Sequence, residues 1–264
     1  MTAGPLFSLR IATAYGALYT TLAASGCFRS LRRPARVDAL SRVPSTINVG
    51  VCLYACWVLR YDAVASFLDL ERAAFSSSAL RDKYLDAVSG YMIYDLVVLT
   101  YERQALGDLA MVLHHIVVIC GLWAGVYFET ATFYMTCLFA NEVSTIFLNV
   151  RFLLFHINLT ESKLYAANGV ALAATFFVFR VVVITGLVAH AAVGWWQLAF
   201  VQGLYWIRPV TDRYLFGGLT LLLIAHWALN LFWFSRIWTL AVRVMRRALQ
   251  CTSASTPGGG KKGL

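Results

Sequence analysis

Two adjacent histidines, His114 and His115, lie inside an apolar run (109–128) that is long enough to cross a bilayer. An ionisable side chain at membrane depth is costly and by default marks a site. Neighbouring residues on a helix point about 100° apart, so the two rings need separate polar partners. An imidazole beside a carboxylate can act as a general base, or can itself carry an acyl group as a nucleophile. The same pairing can instead hold helices together.

The candidate partners are charged side chains on other apolar segments. Asp95, Glu142 and Arg180 lie in three different segments, and a buried charge must be paired or neutralised. Tyr91 lies four residues before Asp95 and shares its helix face, so we expect that face to point inward. Glu142 could accept a hydrogen bond from either histidine or from Arg180. The pattern therefore predicts a polar network inside an apolar bundle.

The histidines do not form a metal motif. Met111 stands where an HxxHH box would need a histidine. A haem held between the pair and His190 or His226 is the remaining metal alternative, and no motif favours it. His226 and Asn230, four residues apart, either join the polar network or pack one helix against another, and we expect packing. We predict no metal and no cofactor.

Composition predicts an all-α membrane protein. The chain is 60% hydrophobic and 13% charged, with a mean hydropathy of +0.68, which does not suit a water-soluble domain. The alternating pattern of a membrane barrel does not occur. We predict about seven transmembrane helices in one bundle, at 6–28, 45–59, 84–101, 109–128, 131–148, 165–187 and 214–238. The second ends at Arg60, and the aromatic stretch 195–206 is interfacial, re-entrant or part of an eighth span.

Basic residues predict the orientation of the bundle. Arginines crowd the first connection (29–42), and arginines and lysines crowd the tail (243–262); the positive-inside rule places both in the cytosol. With seven spans the amino terminus is then lumenal and the carboxyl terminus cytosolic. The net charge of +9 reflects this topology and attraction to anionic lipids, and does not indicate nucleic-acid binding.

Several short motifs resemble one known family. They are STIN at 45–48, GYMIYDL at 90–96, GD at 107–108, the histidine pair, FFVFR at 176–180, NLFW at 230–233 and RI at 236–237. In this order they resemble the TLC-domain family of endoplasmic-reticulum membrane proteins, which includes the ceramide synthases. The resemblance implies a first helix and basic loop (1–41), a TLC domain (42–240) and a basic, flexible cytosolic tail (241–264).

The resemblance also implies site residues. By analogy with the synthases, His114, His115, Asp95 and Glu142 are the candidate catalytic residues, with acyl-CoA as co-substrate. A second group is expected to form a lipid-binding or polar network: Tyr91, Asn48, Asn141, Ser144 and Arg180. Lys261 and Lys262 near the end of the chain resemble a dilysine retrieval signal that vesicle coat proteins recognise, which implies residence in the endoplasmic reticulum.

One segment departs from the synthases. Residues 141–145 read Asn-Glu-Val-Ser-Thr where synthases carry H-D-x-S-D, and Val118 replaces a threonine. The chain therefore resembles the members outside the synthases, and we predict a non-catalytic role in lipid homeostasis through lipid sensing, handling or trafficking. Its expected partners are membrane lipids, including ceramide or sphingoid bases. The alternatives are an acyl-CoA-dependent N-acyltransferase acting on a sphingoid base, and a small transporter or proton-relay protein.

Overall fold

A computed structural model describes residues 4–102 and 109–254, with side chains described up to residue 242. Over these residues the chain is helical and contains no strand, which confirms the all-α prediction. The helices are α1 (Pro5–Ala24), α2 (Arg33–Leu68), α3 (Leu70–Phe75), α4 (Ala79–Tyr101), α5 (Leu109–Tyr127), α6 (Thr132–His156), α7 (Lys163–Val201), α8 (Leu204–Ile207) and α9 (Val210–Ala254). The predicted motif at 107–108 and the lysines Lys261 and Lys262 lie outside the described residues.

Polar side chains cap the N-termini of several helices. Asp69 accepts a hydrogen bond from the backbone of Arg72 at the start of α3, and Ser78 caps α4 in the same way. Ser162 accepts from the backbone of Tyr165 at the start of α7. Each bond satisfies an amide that has no partner within its own helix.

Five helices are long and apolar enough to cross a membrane: α2, α5, α6, α7 and the part of α9 up to Val242. The predicted spans 6–28 and 84–101 are also helices, α1 and α4, but they are not among these five. Charged residues in α4, from Arg81 to Asp95, lower its mean hydropathy. The bundle is multi-pass, and the count of seven spans stays a prediction.

Several helices extend beyond the ends predicted for their spans. Helix α2 continues past Arg60 to Leu68. The Arg60 guanidinium lies 4.0 Å from the ring centroid of Trp57 and 4.3 Å from that of Tyr61, so aromatic faces accommodate its charge. Helix α7 continues past residue 187 to Val201 and takes in the first part of the 195–206 stretch. Gly203, with φ +69°, then turns the chain into α8.

Helix α4 lies at the centre of the packing that positions the site. It contacts α1, α2 and α5, while α9 packs against α5 and α7, and α6 packs against α2 and α7. A Cβ on Gly90 of α4 would lie 2.5 Å from the carbonyl oxygen of Ser8, so only glycine permits this approach of α1. The buried faces of α4, α5, α6 and α9 thus share one core.

Candidate functional site

His115 and Asp95 form an ion-pair geometry between α5 and α4. His115 Nε2 lies 2.9 Å from Asp95 Oδ2, and the histidine is 3% exposed. The other ring nitrogen, Nδ1, lies 2.8 Å from the carbonyl oxygen of Met111. A carbonyl oxygen can only accept, so Nδ1 donates and carries a hydrogen. The pair therefore shares one proton at Nε2, held either by the imidazolium or by the carboxylic acid.

His114 points in a different direction and has aromatic neighbours. Its ring stacks on that of His226 from α9, with centroids 5.2 Å apart and planes 29° from parallel. Trp233 lies edge-on at 5.3 Å. Asn141 of α6 completes the group, because its Nδ2 lies 3.3 Å from His226 Nε2. His114 Nδ1, His226 Nδ1 and Asn141 Oδ1 are buried without a hydrogen-bond partner among the described residues.

Arg180, on α7, connects three helices next to this group. Its Nε donates to Ser144 Oγ at 2.8 Å and to the carbonyl oxygen of Asn141 at 3.2 Å. Its Nη2 donates to Thr145 at 3.1 Å, and its Nη1 lies 3.5 Å from Asn230 Oδ1 on α9. Each guanidinium nitrogen thus contacts a protein acceptor, and α6, α7 and α9 are tied at one point.

Two irregular stretches make this contact possible. Residues Leu138–Glu142 of α6 form a 3₁₀ turn, and Phe176–Val182 of α7 form a π-helical turn that contains Arg180. A change of helical pitch redirects side chains and often occurs at functional sites. Glu142 lies in the 3₁₀ turn, and its carboxylate is 3.7 Å from Arg180 Nη2, so it faces the arginine.

The remaining predicted residues are Asn48 and Tyr91. Asn48 is buried in α2, where its amide lies 3.7 Å from the sulfur of Cys52 on the same helix. The Tyr91 ring packs edge-on against Tyr15 of α1 at 5.4 Å. Tyr91 points inward, as its spacing from Asp95 predicts: its hydroxyl is hydrogen-bonded to Ser45 of α2, and it interacts electrostatically with Asp95 and Glu142.

Sequence reasoning missed a second buried cluster, around Arg81. Arg81 is 1% exposed and donates through all three guanidinium nitrogens. Its acceptors are Asp62 at 2.5 and 3.1 Å, Ser66 at 2.9 Å, Thr132 at 2.9 Å and the carbonyl oxygen of Ser76 at 3.1 Å. Arg81 falls in the polar first turn of α4, where sequence suggests a solvated helix end. Nothing in the sequence distinguishes an arginine at a solvated helix end from a buried one.

His190, the other histidine considered as a haem ligand, is hydrogen-bonded in a different part of the bundle. Its Nε2 lies 2.9 Å from the carbonyl oxygen of Phe67 and therefore donates, and its Nδ1 accepts from the hydroxyl of Tyr134 at 3.0 Å. Among the described residues no group of three or more His, Cys, Asp or Glu side chains is arranged to hold a metal ion.

An apolar cavity adjoins the histidine group. It lies between α5, α6, α7 and α9, has a volume of about 60 Å³ and opens to the surroundings. Val117, Gly121 and Leu222 are among its apolar lining residues, and its polar lining residues are Tyr134, Thr220 and His226. The geometry thus combines an apolar space with a few buried hydrogen-bonding atoms, the usual composition of a small-molecule site.

Comparison with known proteins identifies relatives of this chain. The family model described as TLC domain matches residues 39–239. The chain is 30% identical over 154 residues to TLC domain-containing protein 4-B of Danio rerio, covering 55% of this chain and 54% of that protein. It is 24% identical over 189 residues to TLC domain-containing protein 4 A of Dictyostelium discoideum, covering 71% and 67%. The chain thus spans about half the length of the first relative. No solved structure matches it.

Proposed function

This chain belongs to the TLC domain family of membrane proteins, and from that premise we propose that it handles a membrane lipid without catalysis. In this role it senses, carries or presents a lipid and so contributes to lipid homeostasis. Ceramide and sphingoid bases are the candidate lipids, by resemblance to the substrates of the family's synthases.

The observation that carries the proposal is the engagement of His115. A general base needs one ring nitrogen oriented by the protein and the other free to take a proton from the substrate. In His115 both nitrogens are occupied, by Asp95 at 2.9 Å and by the carbonyl oxygen of Met111 at 2.8 Å. Asp95 and His115 thus satisfy each other within the protein, as expected of a structural clamp, a pair whose role is to hold α4 against α5.

The second candidate is an N-acyltransferase, favoured by the free Nδ1 of His114. In that reaction the amine of a sphingoid base attacks the thioester carbonyl of acyl-CoA. The C–N bond forms, the C–S bond breaks, and the amine proton is transferred to the departing CoA thiolate. Against it, the rings of His115, His226 and Trp233 surround His114 and no carboxylate orients it.

Purified protein tests the two candidates together. We expect protein extracted in mild detergent to retain a selected set of lipids, and to form no N-acylated product when given acyl-CoA and a long-chain base. His114→Ala and His115→Ala should then lower the melting temperature or the yield. Robust N-acylation by the wild type, lost in histidine variants that melt normally, would overturn the proposal.

We also propose that the protein resides in the endoplasmic reticulum, with its amino terminus lumenal and its carboxyl terminus cytosolic. Lys261 and Lys262 would bind vesicle coat proteins. Replacing both by serine should move the protein to later compartments. Arg246→Ser with Arg247→Ser removes the same charge and should leave its location unchanged. If the lysine variant stays in place, the two lysines do not determine residence.

A further inference from the structure

The cavity between α5, α6, α7 and α9 is mostly apolar, with side chains such as Val117 and Leu222 in its wall. Its polar lining residues are Tyr134, Thr220 and His226, of which Tyr134 and Thr220 already have hydrogen-bond partners within the protein. His226 is 6% exposed, so an unsatisfied polar atom on its ring loses contact with water. The chemistry of this one ring decides what kind of group the cavity can accept.

His226 presents a hydrogen-bond donor. Its Nε2 faces the amide nitrogen of Asn141 at 3.3 Å, and an amide nitrogen can only donate, so Nε2 accepts. In a neutral imidazole the hydrogen then resides on Nδ1. That Nδ1 has no partner among the described residues. The ring therefore needs an acceptor oxygen.

The acceptor must be neutral. A carboxylate or phosphate in this apolar space would need a cation. The cation beside the site is Arg180, and its three nitrogens are already engaged by Asn141, Ser144, Thr145, Asn230 and Glu142. A hydroxyl or amide oxygen satisfies His226 without bringing a charge into the bundle.

We propose that this cavity, with a volume of about 60 Å³, binds the end of a hydrocarbon chain that carries a neutral hydroxyl or amide group, whose oxygen accepts a hydrogen bond from His226 Nδ1, while the rest of the chain extends out of the opening. The proposal rests on the proposed lipid-handling function and names the chemical class of lipid. The chain packs against α5 and α9, and the polar group lies at the stacked rings of His114 and His226. A free fatty acid of the same length binds less well.

Photo-crosslinking tests the site directly. The probe is hexadecanol with a diazirine on its chain, added to the full-length protein in detergent, with unlabelled hexadecanol or hexadecanoate as competitor. We expect cross-links in α5 and α9, and competition by the alcohol at concentrations roughly fivefold lower than by the acid, because the carboxylate would bring an uncompensated charge into the apolar site.

Two glycine variants make the test specific. A Cβ on Gly121 would meet only ordinary contact, 3.9 Å from Leu222, so the longer side chain of Gly121→Leu fills the cavity. It should reduce cross-linking roughly tenfold. Gly186→Leu is the matched control, because Gly186 is an exposed helical glycine with no atom within 4 Å of its added Cβ. Melting temperatures establish that both variants fold.

His226→Phe tests the hydrogen bond to the polar group separately from the packing of the hydrocarbon chain. This variant keeps the ring volume and removes the donor, so it should still cross-link, while hexadecanol should compete roughly fivefold less well than in the wild type. Cross-linking that is unaffected by Gly121→Leu would overturn the cavity assignment, even if the protein retains other lipids. Unchanged competition by hexadecanol in His226→Phe would overturn the assigned hydrogen bond. N-acylation activity would overturn the proposed function alone.

Discussion

Asp86 of α4 accepts a hydrogen bond at 2.8 Å from the backbone N–H of Gly4, the residue immediately before α1. The same carboxylate lies 3.4 Å from the hydroxyl of Ser8, so a residue 82 positions away caps the first helix. One turn further along α4, Gly90 lets the α1 backbone approach closely. The attachment of α1 therefore depends on a carboxylate and on a missing side chain.

We predict that Gly90→Ala loosens α1. The new Cβ would lie 2.5 Å from the carbonyl oxygen of Ser8 and 2.6 Å from Ile11 Cβ, an overpacking that costs roughly 1–3 kcal/mol. Gly50→Ala is the control, since its Cβ has no neighbour within 4 Å and alanine favours a helix by up to about 1 kcal/mol. Thermal unfolding should show opposite signs for the two variants. Equal shifts would mean that α1 does not rest on Gly90.

Arg81 and Arg72 offer a matched pair around one carboxylate. Both contact Asp62, but Arg81 is buried and Arg72 is about half exposed. Arg81→Met leaves Ser66 and Thr132 without their partner and should cost roughly 3–5 kcal/mol. Arg72→Met should cost less than about 1 kcal/mol, as for a surface ion pair. Unfolding measured in one detergent compares them, and similar losses would contradict a structural role specific to Arg81.

The clamp between His115 and Asp95 should appear as an energetic coupling. We expect His115→Ala and Asp95→Ala each to cost roughly 1–3 kcal/mol, because each leaves a buried polar group unpaired. The double variant should lose less than the sum, with a coupling between about 0.5 and 3 kcal/mol. His190→Ala shares no partner with Asp95, so its effect should add to that of Asp95→Ala. An additive His115–Asp95 cycle would rule out the clamp.

Asn158 reports on the topology. It begins the sequon Asn158-Leu159-Thr160, and it is exposed between α6 and α7 with φ +59°. The proposed orientation places this connection in the cytosol, so Asn158 should stay unglycosylated and glycosidase should not change gel mobility. A sequon added at the amino terminus, placed in the lumen, is the positive control. A mobility shift abolished by Thr160→Ala, which leaves the backbone at Asn158 undisturbed, would refute the orientation.

The helices were predictable because an apolar run in a membrane must satisfy its own backbone hydrogen bonds. The ends of the helices were not predictable, as Arg60 shows, since whether a charged residue ends a helix depends on the rings beside it. The sequence indicated that Asp95, Glu142 and Arg180 need partners. It could not assign the partners of Glu142 and Arg180, because the 3₁₀ turn at Leu138–Glu142 and the π-turn at Phe176–Val182 determine where those two side chains point. Such turns carry no sequence signal of their own.

The histidine pair lies closer to one end of the apolar run in α5 than to the other, and so closer to one membrane surface. His114 is the sixth residue of the apolar run 109–128, which Asp108 precedes and Glu129 follows. At a rise of about 1.5 Å per residue, the ring lies roughly 8 Å from the Leu109 end and about 20 Å from the other. The pair therefore lies less than a third of the way along the apolar run from its Leu109 end. In the proposed orientation that end faces the cytosol, so the pair lies nearer the cytosolic surface than the lumenal one.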